Sequence, residues 1–157
     1  MTNEIEDPES IGSELLSPEM KSLRNGRALA LQILYETDLT SHNWRTSLAH
    51  YARQRRYKKS IVRFAERMID GVLSNIESLD AEIVRFAPNY PVQQLSVVDR
   101  NVLRLALHEI HRDSETPLKV IINEAIEIAK TFGSEASYKF VNGVLGSFSD
   151  DSNNAKT

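Results

Sequence analysis

Between Ile61 and Ile83 the chain places Ile61, Ala65, Met68, Ile69, Val72, Ile76, Leu79 and Ile83 at spacings of three and four residues. That rhythm is the α-helical period seen from one side, and a strand, whose faces alternate every second residue, cannot bury such a set together. The spacing predicts a long amphipathic helix with a single apolar stripe. In water such a helix persists only when the stripe is covered by another element. Pro88 and Pro91 mark its end, because proline lacks the amide hydrogen that a helix interior needs.

The covering elements are helices too, since no segment has the alternation of a strand pair. Ser17-Pro18 reads as a cap followed by a proline at the first helical position, opening a helix to Leu39 in which Ala28, Leu31, Leu34, Tyr35 and Leu39 recur at helical spacing. Ser41, His42 and Asn43 read as a turn, and Trp44 to Tyr57 as a short helical segment with a basic end. Ser96-x-x-Asp99 is a capping-box pattern for a helix that buries Val98, Val102, Leu103, Ala106, Leu107 and Ile110, with Arg100, Arg104, His108 and His111 or Arg112 on the opposite, solvated stripe. Thr116-Pro117 repeats the cap-proline pattern before Ile121, Ile122, Ala125, Ile126, Ala129 and Phe132. Gly133 is expected to stop that helix in the left-handed conformation and Ser134 to cap a last one, Glu135 to Phe148. The fold class read from the sequence is all-α, with about six or seven helices and short connections. Its divisions are an acidic disordered tail at 1–16, a folded region at 17–148 and a flexible tail at 149–157.

Charge narrows the partners. The formal net charge is −3, but residues 1–20 hold six carboxylates and no lysine or arginine, and residues 149–157 add one more net negative charge, so residues 21–148 carry +4. A mildly basic body permits a polyanionic partner without demanding one. The absence of cysteine rules out disulfides, thiolate metal ligation and thiol catalysis. No apolar run approaches the roughly 18–20 residues of a membrane span, and the N-terminus is acidic where a signal peptide is basic. The expectation is a soluble, cytoplasmic protein with no membrane partner.

Catalytic patterns are not found. The chain has no phosphate-binding glycine loop, no dinucleotide fingerprint and no nucleophile elbow. His108-Glu109-x-His111 has the wrong spacing for a zinc helix, and Glu124 and Glu127 read as acids of an exposed helix face. No enzyme activity, cofactor or metal is expected. The better signal is the pairing of cations with aromatics. Lys21, Arg24 and Arg27 recur at i, i+3 and i+6; Tyr51 to Lys59 carries five cations among two tyrosines; and Lys130, Phe132, Tyr138, Lys139 and Phe140 surround the Gly133 corner. Cations for phosphates and aromatic faces for bases are the means by which single-stranded RNA is gripped. The same residues also suit a solvated face, and Phe132 and Phe140 also suit a core.

The segment PLKVIINEAIEIAKTFGSEASYKFVNGVL, residues 117–145, closely resembles the C-terminal signature of the NusB family of transcription antitermination factors. VVDRNVLRLALHEI (97–110) is similar to the family's preceding helix and RALALQILYETDL (27–39) to its first. The resemblance implies a non-enzymatic protein of two helical subdomains that pairs with NusE, a small-subunit ribosomal protein. Together the two are expected to bind boxA-type single-stranded RNA, notably in ribosomal RNA leaders, and to join the antitermination complex on RNA polymerase. Carried onto this sequence, the family's arginine-rich start falls on Leu23, Arg24, Asn25 and Arg27, with Lys21 as a supplement. Gln32, Lys130, Phe132, Ser137, Lys139 and Phe140 match the signature as further RNA-side positions, and Tyr138 stands where histidine is common. Ala136 stands where aspartate is frequent, which removes a carboxylate from a phosphate path. Tyr35 and Asp99 match the NusE side, although Tyr35 also continues an apolar stripe and Asp99 also belongs to a capping box. The alternatives are a helical adaptor without RNA, and the NusB-like domain of RNA methyltransferases, whose catalytic cysteine and nucleotide-binding unit this sequence lacks.

Overall fold

The computed structural model describes residues 17–112 and 115–155, and the acidic segment 1–16 lies outside them. Seven α-helices occur among the described residues: α1 Pro18–Leu39, α2 Trp44–Gln54, α3 Lys59–Ser74, α4 Ile76–Phe86, α5 Val97–His111, α6 Leu118–Phe132 and α7 Glu135–Ala155, with a single 3-10 turn at Val92–Gln94. There is no strand among them, and the all-α expectation holds.

Helix starts follow local chemistry. Ser17 Oγ accepts from the Met20 amide at 3.2 Å with Pro18 in the first turn, and Asn43 Oδ1 accepts from the amides of Arg45 and Thr46. Each such cap satisfies an amide that has no partner inside the helix, for about 1 kcal/mol. Ser96 Oγ accepts from the Asp99 amide at 3.0 Å in the same way. At α6 the start differs from the expectation. Pro117 itself takes the N-cap position, so the helix begins one residue later than the Ser17-Pro18 precedent predicts.

The single helix expected over 61–83 is two, broken at Asn75, which has φ −130° and ψ 22°. Asn75 Nδ2 donates to the Gly71 carbonyl at 2.8 Å, and its own carbonyl accepts from Ser78 Oγ at 3.0 Å. These side-chain bonds offer the backbone an alternative to the helical ladder. The stripe survives because only one residue is lost, and Ile61, Met68, Ile69, Val72, Leu79 and Ile83 all reach one core.

Helix α5 is the centre, in contact with α1, α3, α4, α6 and α7. Its residues 101–107 are therefore buried on every side, polar ones included. This corrects the solvated stripe: Arg104 is buried and forks onto Asp80 (Nε to Oδ1, 2.7 Å; Nη2 to Oδ2, 2.9 Å), and Arg100 forks onto Asp38 of α1 at 2.7 and 2.6 Å. Burial raises the Asp38 carboxyl, but hydrogen bonds from Arg100 and Asn101 outweigh it and hold the group below its ordinary range. Helix α7 runs beyond Phe148 to Ala155, so the expected flexible tail from 149 is helical through most of its length. Phe148 meets Phe86 edge to face, and Asp151 accepts from Arg85 at 3.2 Å.

Candidate nucleic-acid interface

Two clefts border α1, and the same phenylalanine lies on both. The first, between α1 and α6, is lined by Arg24, Asn25 and Ala28 on one side and by Glu127, Lys130 and Phe132 on the other. The second, of about 470 Å³, is lined by Gln32, Tyr35 and Leu39 of α1, Arg55, Val98 and Phe132. Phe132 is 37 % exposed and Tyr35 42 %, values unusual for large apolar rings on α-helices that otherwise bury theirs.

Each cation of the first cleft already has a carboxylate. Arg24 donates from Nε and Nη2 to the two oxygens of Glu124, at 3.0 and 2.8 Å. The hydrogen bond to Glu124 raises the guanidinium pKa, against a smaller opposing effect of burial. Glu124, read as an exposed acid, is thus a buried clamp that aims Arg24 along the cleft. Lys130 lies 3.5 Å from Glu127 and its ammonium sits 5.3 Å from the centre of the Tyr138 ring. Lys139 pairs with Glu135 at 3.1 Å on the exposed face of α7. A phosphate arriving here exchanges one anionic partner for another, while Lys21 is exposed on the first turn of α1.

Two of the expected RNA contacts are buried. Arg27 is 6 % exposed, with Nε shared between both oxygens of Glu109 at 3.1 and 2.9 Å and its guanidinium 5.6 Å from the centre of the Phe64 ring. It joins α1 to α5 inside the protein, and no phosphate reaches it. The i, i+3, i+6 spacing was misleading because each three-residue step falls about 60° short of a full helical turn, so Arg27 stands about 60° from Arg24 and about 120° from Lys21, on the side that meets α5. Ser137 is buried as well, its Oγ accepting from the Ser134 amide at 3.1 Å, so it closes the start of α7.

The corner itself also differs from expectation. Gly133 has φ −105°, outside the left-handed region. Glycine is required there for space: a Cβ would lie 2.5 Å from Ser137 Cβ and 2.8 Å from the Ala129 carbonyl oxygen. That close approach sets the α6–α7 angle that stands Tyr138 beside Lys130. Phe140 is half-buried and meets Tyr90 edge to face at 5.2 Å, away from the two clefts.

On the protein-partner side, Asp99 does not complete a reciprocal capping box: its Oδ1 is buried with no hydrogen-bond partner, although Ser96 caps its amide. Gln32 is engaged by Arg55, whose Nη1 donates to Oε1 at 3.1 Å. Arg55 was visible in the sequence only as part of a basic run; its placement beside Tyr35 and Phe132 depends on the packing of α2 on α1. Among the described residues no three His, Asp or Glu side chains gather in a way that could hold a metal ion, and His111 is taken up by Glu82 at 2.7 Å. No helix among them is long and apolar enough to cross a membrane.

The NusB family model matches residues 24–150. A transcription antitermination protein NusB from Dehalococcoides mccartyi strain CBDB1 is 44% identical over 128 residues, covering 82% of this chain and 90% of that protein. One from Roseiflexus sp. strain RS-1 is 46% identical over 130 residues, covering 81% and 92%. Among solved structures, T. maritima NusB superimposes with a TM-score of 0.73 at 37% identity, over 78% of this chain and 87% of that one. A crystal structure of the antitermination factors NusB and NusE in complex with dsRNA gives a TM-score of 0.73 at 26% identity, over 81% and 95%.

Proposed function

The chain belongs to the NusB family, and we propose from that premise that it is a non-catalytic transcription antitermination factor that binds boxA-type single-stranded RNA together with NusE. In this reading it helps to assemble the antitermination complex on RNA polymerase, notably during ribosomal RNA transcription, and acts in the cytoplasm. The observation that carries the reading is the gathering of Arg24, Lys130 and the exposed Phe132 on one cleft, with Tyr138 under the Lys130 ammonium.

Cations beside free aromatic faces suit single strands, whose phosphates and unstacked bases are accessible at once. RNA follows the α6–α7 corner, held by Lys21, Arg24, Lys130 and Lys139, with bases against Phe132 and Tyr138. NusE covers the neighbouring cleft at Tyr35 and contacts the half-buried Asp99 beside it. Because Phe132 borders both clefts, a partner seated on Tyr35 walls the RNA path on one side, so the two ligands are expected to bind cooperatively.

The test is fluorescence anisotropy of a boxA-containing single strand and of its duplex at two salt concentrations, for the wild type and for Lys130→Gln with Lys139→Gln. The reading predicts preference for the single strand, weakening with salt, and a loss of about tenfold in the double variant, as expected for two phosphate contacts. Equal affinity of wild type and variant for the single strand overturns the assignment of this corner.

A further inference from the structure

Away from the α6–α7 corner the molecule holds a stronger cationic surface. Residues 44–70 carry a net charge of +6 in a chain whose total is −3. The carboxylates of this stretch, Glu66 and Asp70, are both drawn to Arg45, at 3.0 and 3.8 Å. Arg53, Arg56, Lys58, Lys59, Arg63 and Arg67 are all exposed, and among the described residues none has a carboxylate within 4.0 Å. This is the reverse of the corner, where Arg24, Lys130 and Lys139 are each matched by a glutamate.

The patch is built around the turn between α2 and α3. Arg56 has φ 53°, in the left-handed region that favours glycine. The Tyr57 amide reaches the Ala52 carbonyl at 3.1 Å and the Arg56 amide reaches the Arg53 carbonyl, the pattern that closes a helix with a glycine in the left-handed position. An arginine thus occupies a site where glycine is the easier residue. Helix α3 then starts at Lys58 and Lys59 with no side-chain cap and no acid in its first turn. Cations there oppose the helix dipole unless an anion joins them. Beside the turn lies a cleft of about 420 Å³, floored by Ala49, Ala52 and Val62 and rimmed by Arg53, Lys59 and Arg63.

Arg55 connects this patch to the candidate site, since it follows from the same turn and donates to Gln32 in the cleft that also holds Phe132. We infer that the α2–α3 turn is a second, sequence-independent phosphate-binding surface, which takes the backbone of RNA flanking the segment held at the α6–α7 corner. This rests on the reading of the chain as an RNA-binding protein. A lipid surface is the poorer match, because none of the exposed large apolar side chains belongs to the patch. The positive patch supplies affinity through counterion release and leaves base recognition to the corner.

The experiment compares the full chain with the variant Arg56→Gly, Lys58→Gln, Lys59→Gln, Arg63→Gln, using a boxA RNA of about 12 nucleotides, within the usual site sizes for single strands, and the same RNA extended on both sides. The wild type is expected to bind the longer RNA more tightly. The variant is expected to lose about tenfold on the longer RNA and nothing on the shorter, and its salt slope on the longer RNA to fall by about 0.7 per lost contact. Arg56→Gly alone separates structure from function: it relieves the left-handed strain, so it melts no lower than wild type, yet it binds the longer RNA less well. Unchanged affinity and slope on the longer RNA, with short-RNA binding intact, overturn the second surface alone. Failure of the wild type to bind either RNA overturns it together with the reading on which it rests.

Discussion

Replacement of Arg27 by methionine separates the structural account of α1 from the expectation that its arginines are a row of RNA contacts. Arg27 and Glu109 are 6 % and 3 % exposed and share hydrogen bonds from Nε and Nη2 to both carboxylate oxygens. Methionine fills much of the space but leaves the Glu109 carboxylate buried without a partner, and breaking a buried pair in this way costs about 3–5 kcal/mol. Against a total stability of about 5–15 kcal/mol this is a large fraction. With a urea m-value of about 2 kcal/mol/M the unfolding midpoint falls by roughly 2 M. The double variant Arg27→Met with Glu109→Leu removes both charges and recovers most of the loss, since a buried pair replaced by apolar groups of similar volume is nearly neutral. Urea unfolding followed by circular dichroism of the two single variants and the double gives the coupling directly. RNA affinity of the folded double variant is expected to equal that of wild type. The reasoning is refuted if Arg27→Met unfolds at the wild-type midpoint while its RNA affinity drops tenfold.

Three further outcomes follow from the same geometry. His108 packs against Gly71 with no room for a Cβ between them, and burial, with help from Arg112, holds its pKa below the ordinary value. The unfolded chain therefore binds more protons than the native one between the two pKa values, so stability is fully present above about pH 6.5 and declines as the pH falls through the folded value; urea midpoints at pH 7.5, 6.5 and 5.5 are expected to drop in order, and to drop less in His108→Gln. Asp99→Asn keeps the amide that Ser96 caps, so its stability falls by about 1 kcal/mol at most through the lost helix-dipole interaction, while NusE binding measured by calorimetry weakens at least tenfold; equal losses of stability and binding would mark Asp99 as a capping residue only. Ala136→Asp places a carboxylate on the exposed first turn of α7, and one charge about 6 Å from a phosphate in water is worth roughly 0.7 kcal/mol, so RNA affinity is expected to fall about threefold at low salt and to return toward wild type as salt is raised.

Helical periodicity made the helices legible, apart from the division of α3 from α4 and the end of α7, because each buries one stripe and the stripe is written in the local sequence. What it could not convey was pairing at a distance. Arg27 and Glu109 are 82 residues apart and Arg24 and Glu124 are 100, so whether an arginine of α1 is buried or exposed depends on where α5 and α6 come to rest. The break at Asn75 was hidden for the opposite reason, since a one-residue interruption scarcely disturbs the phase of a stripe that continues through it. Gly133 was placed correctly as a corner, but the requirement is room for Ser137 and the Ala129 carbonyl, a contact visible only once α7 is folded back. Residues 149–155 have a polar, tail-like composition, and their helix is held by Arg85 and by the anchoring of Phe148 on Phe86, neither of which has a local sequence signal. The candidate RNA residues at the α6–α7 corner were legible as a pairing of cations with aromatics before the family resemblance matched them, whereas the unpaired character of the 53–67 cations emerged only from the ion pairs around them.

The most direct test of the central claim is the affinity of the chain for a boxA single strand, measured by anisotropy with and without purified NusE and against a scrambled strand of equal length. The account predicts selective binding of the boxA strand, tightened by NusE and weakened by salt. Equal binding of boxA and scrambled RNA, unchanged when NusE is added, would contradict it.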